Sequence, residues 1–232
     1  DQVGRFAAAF ISGAQASGSM ATAKHFPGHG DTGVDSHIDM PVLRVDSQRL
    51  QAVELAPFRA AIEAGVSSIM TAHLSVPAIT ADEQLPATLS QAVLTDLLRN
   101  QLDFKGLVVT DAMEMGGINR HWWSGQAAVQ ALAAGADMVL LPPFPNAVRD
   151  AIVRAVESGE LSAERLDAAV RLVLQYKARL GLHLSLAEAS LADLPNRFAP
   201  ASDALRAEEV GVAAVTLLRD RNEIFPLDAR DR

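Results

Sequence analysis

The residues that decide the fold are Gly106-Leu107-Val108-Val109-Thr110-Asp111, an unbroken run of apolar and β-branched side chains between a glycine and an acidic residue. Such a run predicts a strand that is buried on both faces. A helix is predicted before it, over residues 90–101 with Ser90 as a good N-cap, and another after it, over about 125–134. A buried strand between two helices is typical of a parallel sheet.

The same alternation of strands and helices extends in both directions along the chain. Strand candidates recur at intervals of roughly 30 to 45 residues, which indicates βα units and an α/β fold. The other predicted strands are 20–24, 68–73 and 137–141, and the other predicted helices of this region are 3–15, 47–64 and 162–180. Four units between residues 20 and 180 make half of a (β/α)8 barrel, and a doubly wound sheet would show the same pattern.

The region after residue 180 differs from the rest of the chain. Residues 181–202 have weak periodicity and several turn residues, so we expect a linker there. A last helix is predicted over 203–218, and the tail that follows is too short to be a domain by itself.

The overall composition describes a globular protein, because 49% of the 232 residues are apolar and 21% are charged. A net charge of −8 and a pI near 5.2 argue against nucleic acid as a partner, since binding to phosphate backbones needs an excess of Lys and Arg. No apolar run is long enough for a membrane span, and no signal peptide is visible after Asp1. The absence of cysteine excludes disulfides and a thiolate nucleophile, and it leaves the compartment open.

Titratable residues are concentrated in the segment 24–37, which follows the first predicted strand. Its fourteen positions hold three histidines, two aspartates, one lysine and three glycines. Loops at the carboxyl ends of parallel strands form the active face of α/β proteins, so the segment lies where chemistry normally occurs. Asp35 and His37 are close enough for the carboxylate to accept a hydrogen bond from the imidazole. We therefore predict that these two residues form a proton-transfer pair.

Asp111 is the second candidate, because it ends the strand that decides the fold. The alternative is that Asp111 caps the next helix. Glu114 ranks below it, and Asp137 begins a strand, where a structural role is expected. His73 ends another strand, and its position suits a pocket residue and a buried, hydrogen-bonded histidine equally well.

Three motifs follow one another in the chain. They are Lys24-His25-Phe26-Pro27-Gly28-His29-Gly30 with Asp35-Ser36-His37, then Gly106-Leu107-Val108-Val109-Thr110-Asp111-Ala112-Met113, and then Ala134-Gly135-Ala136-Asp137-Met138-Val139-Leu140. In order and spacing they resemble glycoside hydrolase family 3, in its β-N-acetylglucosaminidase (β-hexosaminidase) branch. The resemblance covers essentially the whole chain.

This resemblance implies a fold for the chain and for what surrounds it. Residues 1–180 would be a partial (β/α)8 glycosidase barrel that supplies strands five to eight, with the first four strands upstream. Residues 203–232 would be a connecting helix and the start of an αβα sandwich domain. The chain would thus be a fragment, expected to be inactive alone. Longer family members are often exported, which favours a periplasmic or extracellular setting over the cytoplasm.

The resemblance also implies a mechanism and a substrate. Asp111 would be the nucleophile that forms a covalent glycosyl-enzyme, His37 supported by Asp35 would be the acid and then the base, and Lys24 with His25 would bind sugar hydroxyls. No cofactor and no metal are expected. Ala112 after the nucleophile, where β-glucosidases of the family usually have Trp, favours N-acetyl-β-glucosaminides from peptidoglycan or chitin. The bacterial role would be peptidoglycan turnover or carbohydrate metabolism.

Other functions remain open at the level of the sequence. A phosphorylase of the same family would use phosphate instead of water, and a β-glucosidase would accept another sugar. A metal-dependent hydrolase could use His25, His29 and His37 as ligands. A non-catalytic sugar-binding protein is disfavoured, because binding alone needs neither a nucleophile nor a proton-transfer pair.

Overall fold

The computed structural model describes residues 2–184, 191–194, 198, 201–221 and 225. The chain divides into two compact units, Asp1–Leu184 and Ser185–Arg232. The first unit holds a four-stranded parallel sheet with its helices, and the described part of the second holds one long helix. None of the described helices is long and apolar enough to cross a membrane.

The sheet confirms the predicted α/β architecture. Its strands are β1 (Thr22–Phe26), β2 (Ser68–Thr71), β3 (Leu107–Ala112) and β4 (Met138–Leu140). They lie in the order β1-β2-β3-β4, and every neighbouring pair is parallel. A doubly wound sheet reverses its strand order at a switch point, whereas a (β/α)8 barrel keeps neighbouring strands in chain order. The observed order contains no such reversal and is barrel-like.

The helices follow the predicted pattern with three differences. The longer ones are α1 (Gln2–Ala16), α2 (Ala56–Glu63), α3 (Ala92–Gln101, a π-helix), α4 (Ser124–Ala134), α5 (Pro145–Ser158), α6 (Ala163–Arg179) and α7 (Ala201–Ala214). The helix predicted over 47–64 is divided, because helical turns at Ser47–Arg49 and Leu50–Glu54 precede α2. Helix α5 was not predicted, and α7 ends before residue 218.

The domain division into 1–180, 181–202 and 203–232 stays a prediction. Half of the expected linker lies outside the described residues.

The two faces of the sheet differ in burial. Ile69 and Val108 are neighbours in register and are fully buried. On the opposite face Met70, Val109 and Met138 form a row across three strands, and Met138 is 40% exposed. One face is therefore a completed core, and the other face is an apolar surface that is only partly covered.

An ion-pair cluster holds the amino ends of β3 and β4 together. The carboxylate of Asp137, 3% exposed, accepts hydrogen bonds from Arg99 Nη2 at 2.6 Å and Arg165 Nη2 at 2.9 Å. It also accepts one from the amide of Val108 at 2.9 Å. Because Arg99 lies on α3 and Arg165 on α6, one buried carboxylate connects two helices and two strands. This confirms the structural role predicted for Asp137.

We expect Asp137→Ala to destabilise the full-length protein by about 3 kcal/mol, because it leaves two largely buried guanidinium groups without their carboxylate. The measurement is the free energy of unfolding in urea. Asp150→Ala is the matched control, since it breaks an exposed pair with Arg149 that is worth about 0 to 1 kcal/mol. Equal midpoints for the two variants would contradict the role of the cluster.

Candidate active site

Asp111 lies near the carboxyl end of β3, next to a histidine from β1. Its Oδ2 is 3.5 Å from Nε2 of His25, and its Oδ1 accepts a hydrogen bond from the amide of Ala112 at 2.8 Å. The side chain is largely buried, with 13% exposed. The next helical turn begins at Gly116 with Met115 as its N-cap. The alternative that Asp111 caps this helix is therefore wrong.

Asp35 and His37 form the pair that their spacing predicts. Nδ1 of His37 lies 2.8 Å from Oδ1 of Asp35, and the His37 amide donates to the same oxygen at 2.9 Å. These two hydrogen bonds lower the pKa of Asp35 and keep it ionised. The bond from the backbone amide has the larger effect. Because a carboxylate only accepts, Nδ1 of His37 carries the proton of this bond. In the neutral ring this leaves the lone pair on Nε2, which is where proton transfer would occur.

The loop that carries this pair is held together by His29. Its Nε2 lies 3.0 Å from the hydroxyl of Ser36, and its Nδ1 lies 2.9 Å from the hydroxyl of Thr32. The sequence suggested His29 only as a metal ligand. Its role in holding the loop together was not predicted. Within the described part of the chain, no group of three His, Asp or Glu side chains is arranged to hold a metal ion.

The two candidate loops are joined through backbone hydrogen bonds. The amide of Gly116 donates to the carbonyl of His37 at 3.1 Å, and that of Gly117 donates to the carbonyl of Ser36 at 2.9 Å. A Cβ atom on Gly117 would lie 2.9 Å from the Ser36 carbonyl oxygen and 3.1 Å from that of His73, so only glycine fits there. The segment that follows Asp111 thereby fixes the backbone of the proton-transfer pair.

A side-chain contact makes a second link between these loops. Nε2 of His121 lies 2.8 Å from Oδ1 of Asp39, and this hydrogen bond is the largest cause of the lowered pKa of Asp39. The sequence gave no reason to single out either residue, because they are far apart in the chain.

The remaining predicted site residues, Lys24 and His25, belong to β1. Burial lowers the pKa of His25; the Asp111 charge opposes this, and the charge of Lys24 adds to it. Both residues line a cavity of about 810 Å³ beside β1, together with Arg49 and Glu54. Asp111 is absent from its lining. The structure thus places His25 between this cavity and Asp111.

His73 is a buried, hydrogen-bonded histidine. It is fully buried, with Nδ1 2.9 Å from the hydroxyl of Thr88 and Nε2 3.1 Å from the carbonyl of Ala112. Since a carbonyl only accepts, Nε2 carries a proton. Of the two roles that the sequence left open, the geometry favours support of the backbone beside Asp111.

Glu114, Trp122 and Trp123 lie outside these contacts. Glu114 is exposed. Trp122 packs against the main core, and the ring of Trp123 lies over Gly125. The tryptophans cover the edge of the core.

Fold and site together define an α/β protein with a parallel sheet, whose strand ends present a buried aspartate and an Asp–His pair on neighbouring loops. A model of the family described as Glycosyl hydrolase family 3 N terminal domain matches residues 1–176. The chain belongs to glycoside hydrolase family 3, which confirms the resemblance.

Similar proteins carry related names. Beta-hexosaminidase A of Pseudoalteromonas piscicida is 32% identical over 241 residues, which cover 94% of this chain and 40% of that protein. A solved family 3 beta-N-acetylglucosaminidase from Paenibacillus sp. str. FPU-7 is 44% identical with a TM-score of 0.77, over 81% of this chain and 36% of that one. A solved beta-glucoside phosphorylase, BglX, is 28% identical with a TM-score of 0.89, over 98% of this chain and 42% of that one. This chain therefore spans well under half the length of these proteins.

We expect Gly117→Ala to release the loop of the Asp–His pair, because the new methyl group would meet backbone carbonyls that cannot rotate away. Overpacking of this kind costs about 1 to 3 kcal/mol. The measurement is amide hydrogen exchange of peptides that cover residues 28–40, which should become faster. Gly33→Ala is the control on the same loop, since no described atom lies within 4 Å of its Cβ position. Equal rates of exchange in the two variants would refute the role of Gly117 in holding this loop.

We expect His73 to make folding sensitive to mild acid. Burial holds its pKa below the ordinary value, so the unfolded chain binds this proton more readily than the folded protein does. The stabilisation by neutral His73 is therefore present above about pH 6.5 and is lost as the pH falls from there through the folded-state pKa. His73→Gln should flatten the decrease in Tm between pH 7 and pH 5 relative to the wild type. The control is His183→Gln, which changes an exposed histidine. An unchanged slope of Tm against pH in His73→Gln would contradict the assignment of the acid sensitivity to His73.

Proposed function

We propose that the full-length protein is a retaining exo-β-N-acetylglucosaminidase that removes terminal N-acetyl-β-glucosamine from peptidoglycan or chitin fragments. The observation that carries this proposal is the link from Asp111 through Gly116 and Gly117 to the Asp35–His37 pair. A retaining glycosidase needs a nucleophile and a proton carrier in one pocket. The names of the family members similar to this chain support the choice of sugar.

We further propose that the four strands are strands five to eight of a (β/α)8 barrel. Three observations support this: the sequential parallel order, the partly covered row of Met70, Val109 and Met138, and the greater length of the relatives. The missing strands would cover that row and complete the sugar pocket. Residues 181–202 would link the barrel to a second domain that begins within 203–232.

In the first step a carboxylate oxygen of Asp111 bonds to the anomeric carbon, while the bond from that carbon to the leaving oxygen breaks. The leaving oxygen takes the proton that protonated His37 carries on Nε2. Asp35 stabilises the imidazolium before this transfer and orients the ring. The product of this step is a glycosyl ester of Asp111 with a neutral His37.

In the second step neutral His37 takes a proton from water, and the water oxygen bonds to the anomeric carbon. The ester bond breaks and returns Asp111 to its ionised form. Two displacements at one carbon retain the configuration. Lys24 and His25 would bind sugar hydroxyls beside Asp111, where His25 is already close to the carboxylate.

A phosphorylase that acts on N-acetyl-β-glucosaminides is the second candidate function, because the solved beta-glucoside phosphorylase BglX covers 98% of this chain. Its chemistry differs from hydrolysis only in the acceptor, since phosphate then attacks the same glycosyl-enzyme. A phosphate oxygen is already deprotonated at neutral pH, so this acceptor needs no base.

The decisive experiment uses the full-length gene product and two N-acetyl-β-glucosaminides, one with 2,4-dinitrophenol and one with phenol as the leaving group. Asp111→Asn should lower kcat/KM for both by a factor on the order of 10⁴. His37→Ala should lower it about 10²-fold or more for the phenyl substrate and much less for the dinitrophenyl substrate, whose leaving group needs no proton. The control is Asp103→Asn, which changes an exposed aspartate.

Equal losses for both leaving groups in His37→Ala would refute its role as the acid. Full activity of Asp111→Asn would refute the nucleophile. Formation of N-acetylglucosamine 1-phosphate in phosphate buffer, at the expense of free sugar, would select the phosphorylase.

A further inference from the structure

Arg49 connects the loop of the proton-transfer pair to a buried carboxylate. Its Nη2 lies 2.7 Å from Oδ2 of Asp31 on the loop, and its Nε lies 3.3 Å from Oε1 of Glu54. Arg49 ends the helical turn Ser47–Arg49, and Glu54 ends the turn that follows it. We call these three residues the Arg49 bridge.

Glu54 makes the bridge stronger than an ordinary surface ion pair. Its side chain is only 5% exposed, and Oε2 has no hydrogen-bond partner among the residues that the structure describes. A buried carboxylate needs a cation close by, because removal of its charge from water is expensive. Glu54 therefore attracts Arg49 and restricts its guanidinium more than an exposed acid would.

Glu54 also packs directly under the loop. A Cβ atom on Gly28, whose φ is +136°, would lie 2.8 Å from Cβ of Glu54. The loop thus meets this helical segment at two points, by close packing at Gly28 and by the ion pair at Asp31. Two separate points fix the direction in which a loop leaves its strand, whereas one point leaves it free to turn.

The fixed part of the loop leads directly to the proton-transfer pair. Thr32, which follows Asp31, bonds to His29, and His29 bonds to Ser36. Ser36 lies between Asp35 and His37. A displacement of Asp31 would therefore be transmitted to the imidazole of His37 through a short series of hydrogen bonds.

We propose that Arg49 and Glu54 are positioning residues for proton transfer by His37. This inference rests on the proposed function and adds residues that touch neither substrate nor nucleophile. The bridge holds the Asp31 end of the loop, while Gly116 and Gly117 hold the His37 end. Without the bridge the loop keeps its second attachment, so the nucleophile is unaffected and only the placement of the imidazole changes.

The test compares Arg49→Ala with the wild type in the full-length protein, using the dinitrophenyl and phenyl N-acetyl-β-glucosaminides. Misplacement of a catalytic group by about 1 Å lowers rates on the order of 10²-fold. We expect a loss of about 10- to 100-fold in kcat/KM for the phenyl substrate and a much smaller loss for the dinitrophenyl substrate. Azide attacks the glycosyl-enzyme without the help of a base. Added azide should therefore raise the turnover of the dinitrophenyl substrate by Arg49→Ala, because the attack of water is then the slow step.

Three further variants separate positioning from folding. Arg49→Lys should not restore the phenyl activity, because an ammonium group cannot contact Asp31 and Glu54 with the planar fork of a guanidinium. Asp31→Ala breaks the bridge at its exposed end and should show the same dependence on the leaving group, even if Arg49→Ala does not fold. Arg149→Ala, which breaks an exposed pair on α5, is the matched control and should leave both activities unchanged.

Amide hydrogen exchange of residues 28–40 gives a readout that does not depend on activity. We expect faster exchange in Arg49→Ala and Asp31→Ala than in Arg149→Ala. Unchanged exchange in the first two, or equal loss for the two substrates, would overturn the proposal. A wild-type protein that cleaves neither substrate would refute the proposed function, and the exchange measurement would still decide whether the bridge orders the loop.

Discussion

The backbone hydrogen bonds from Gly116 and Gly117 to the carbonyls of His37 and Ser36 are the constraint on which the site depends. Asp111 lies on β3, whereas His37 lies on the loop that follows β1, and without a contact between the loop and the end of β3 their separation would vary. The two bonds remove that freedom because Gly116 follows Asp111 by only five residues. They form only where no Cβ intervenes, so the two glycines fix the backbone of Ser36 and His37 relative to the strand that carries Asp111.

The two ends of the sheet have different functions. At the amino ends, the carboxylate of Asp137 accepts hydrogen bonds from Arg99, Arg165 and a backbone amide, an arrangement that stabilises the fold. At the carboxyl ends, Asp111 makes one short hydrogen bond to its own strand and faces His25 at 3.5 Å. Asp111 thus keeps more of its oxygen lone pairs open than Asp137 does.

The sequence predicted those features that depend on near neighbours in the chain. The strand 106–111 follows from its composition, and the Asp35–His37 contact follows from a separation of two residues. Helix α5 was missed because Pro142 and Pro143 indicate an end, while the helix begins at Pro145, where its first turn tolerates proline.

Long-range contacts could not be predicted from one sequence. The hydroxyl partners of His29, the contact of His121 with Asp39 and the ion pairs of Arg49 depend on how separate segments approach one another in space. Local composition carries no signal for such pairings.

The most direct test of the central claim is to locate the covalent intermediate. The full-length protein would be treated with an N-acetyl-β-glucosaminide whose fluorinated ring slows the second step, quenched in acid, digested and analysed by mass spectrometry. We expect one added sugar on the peptide that contains Asp111, with fragmentation placing it on that carboxylate. A sugar on another residue, or product released with inverted configuration, would contradict the proposed mechanism.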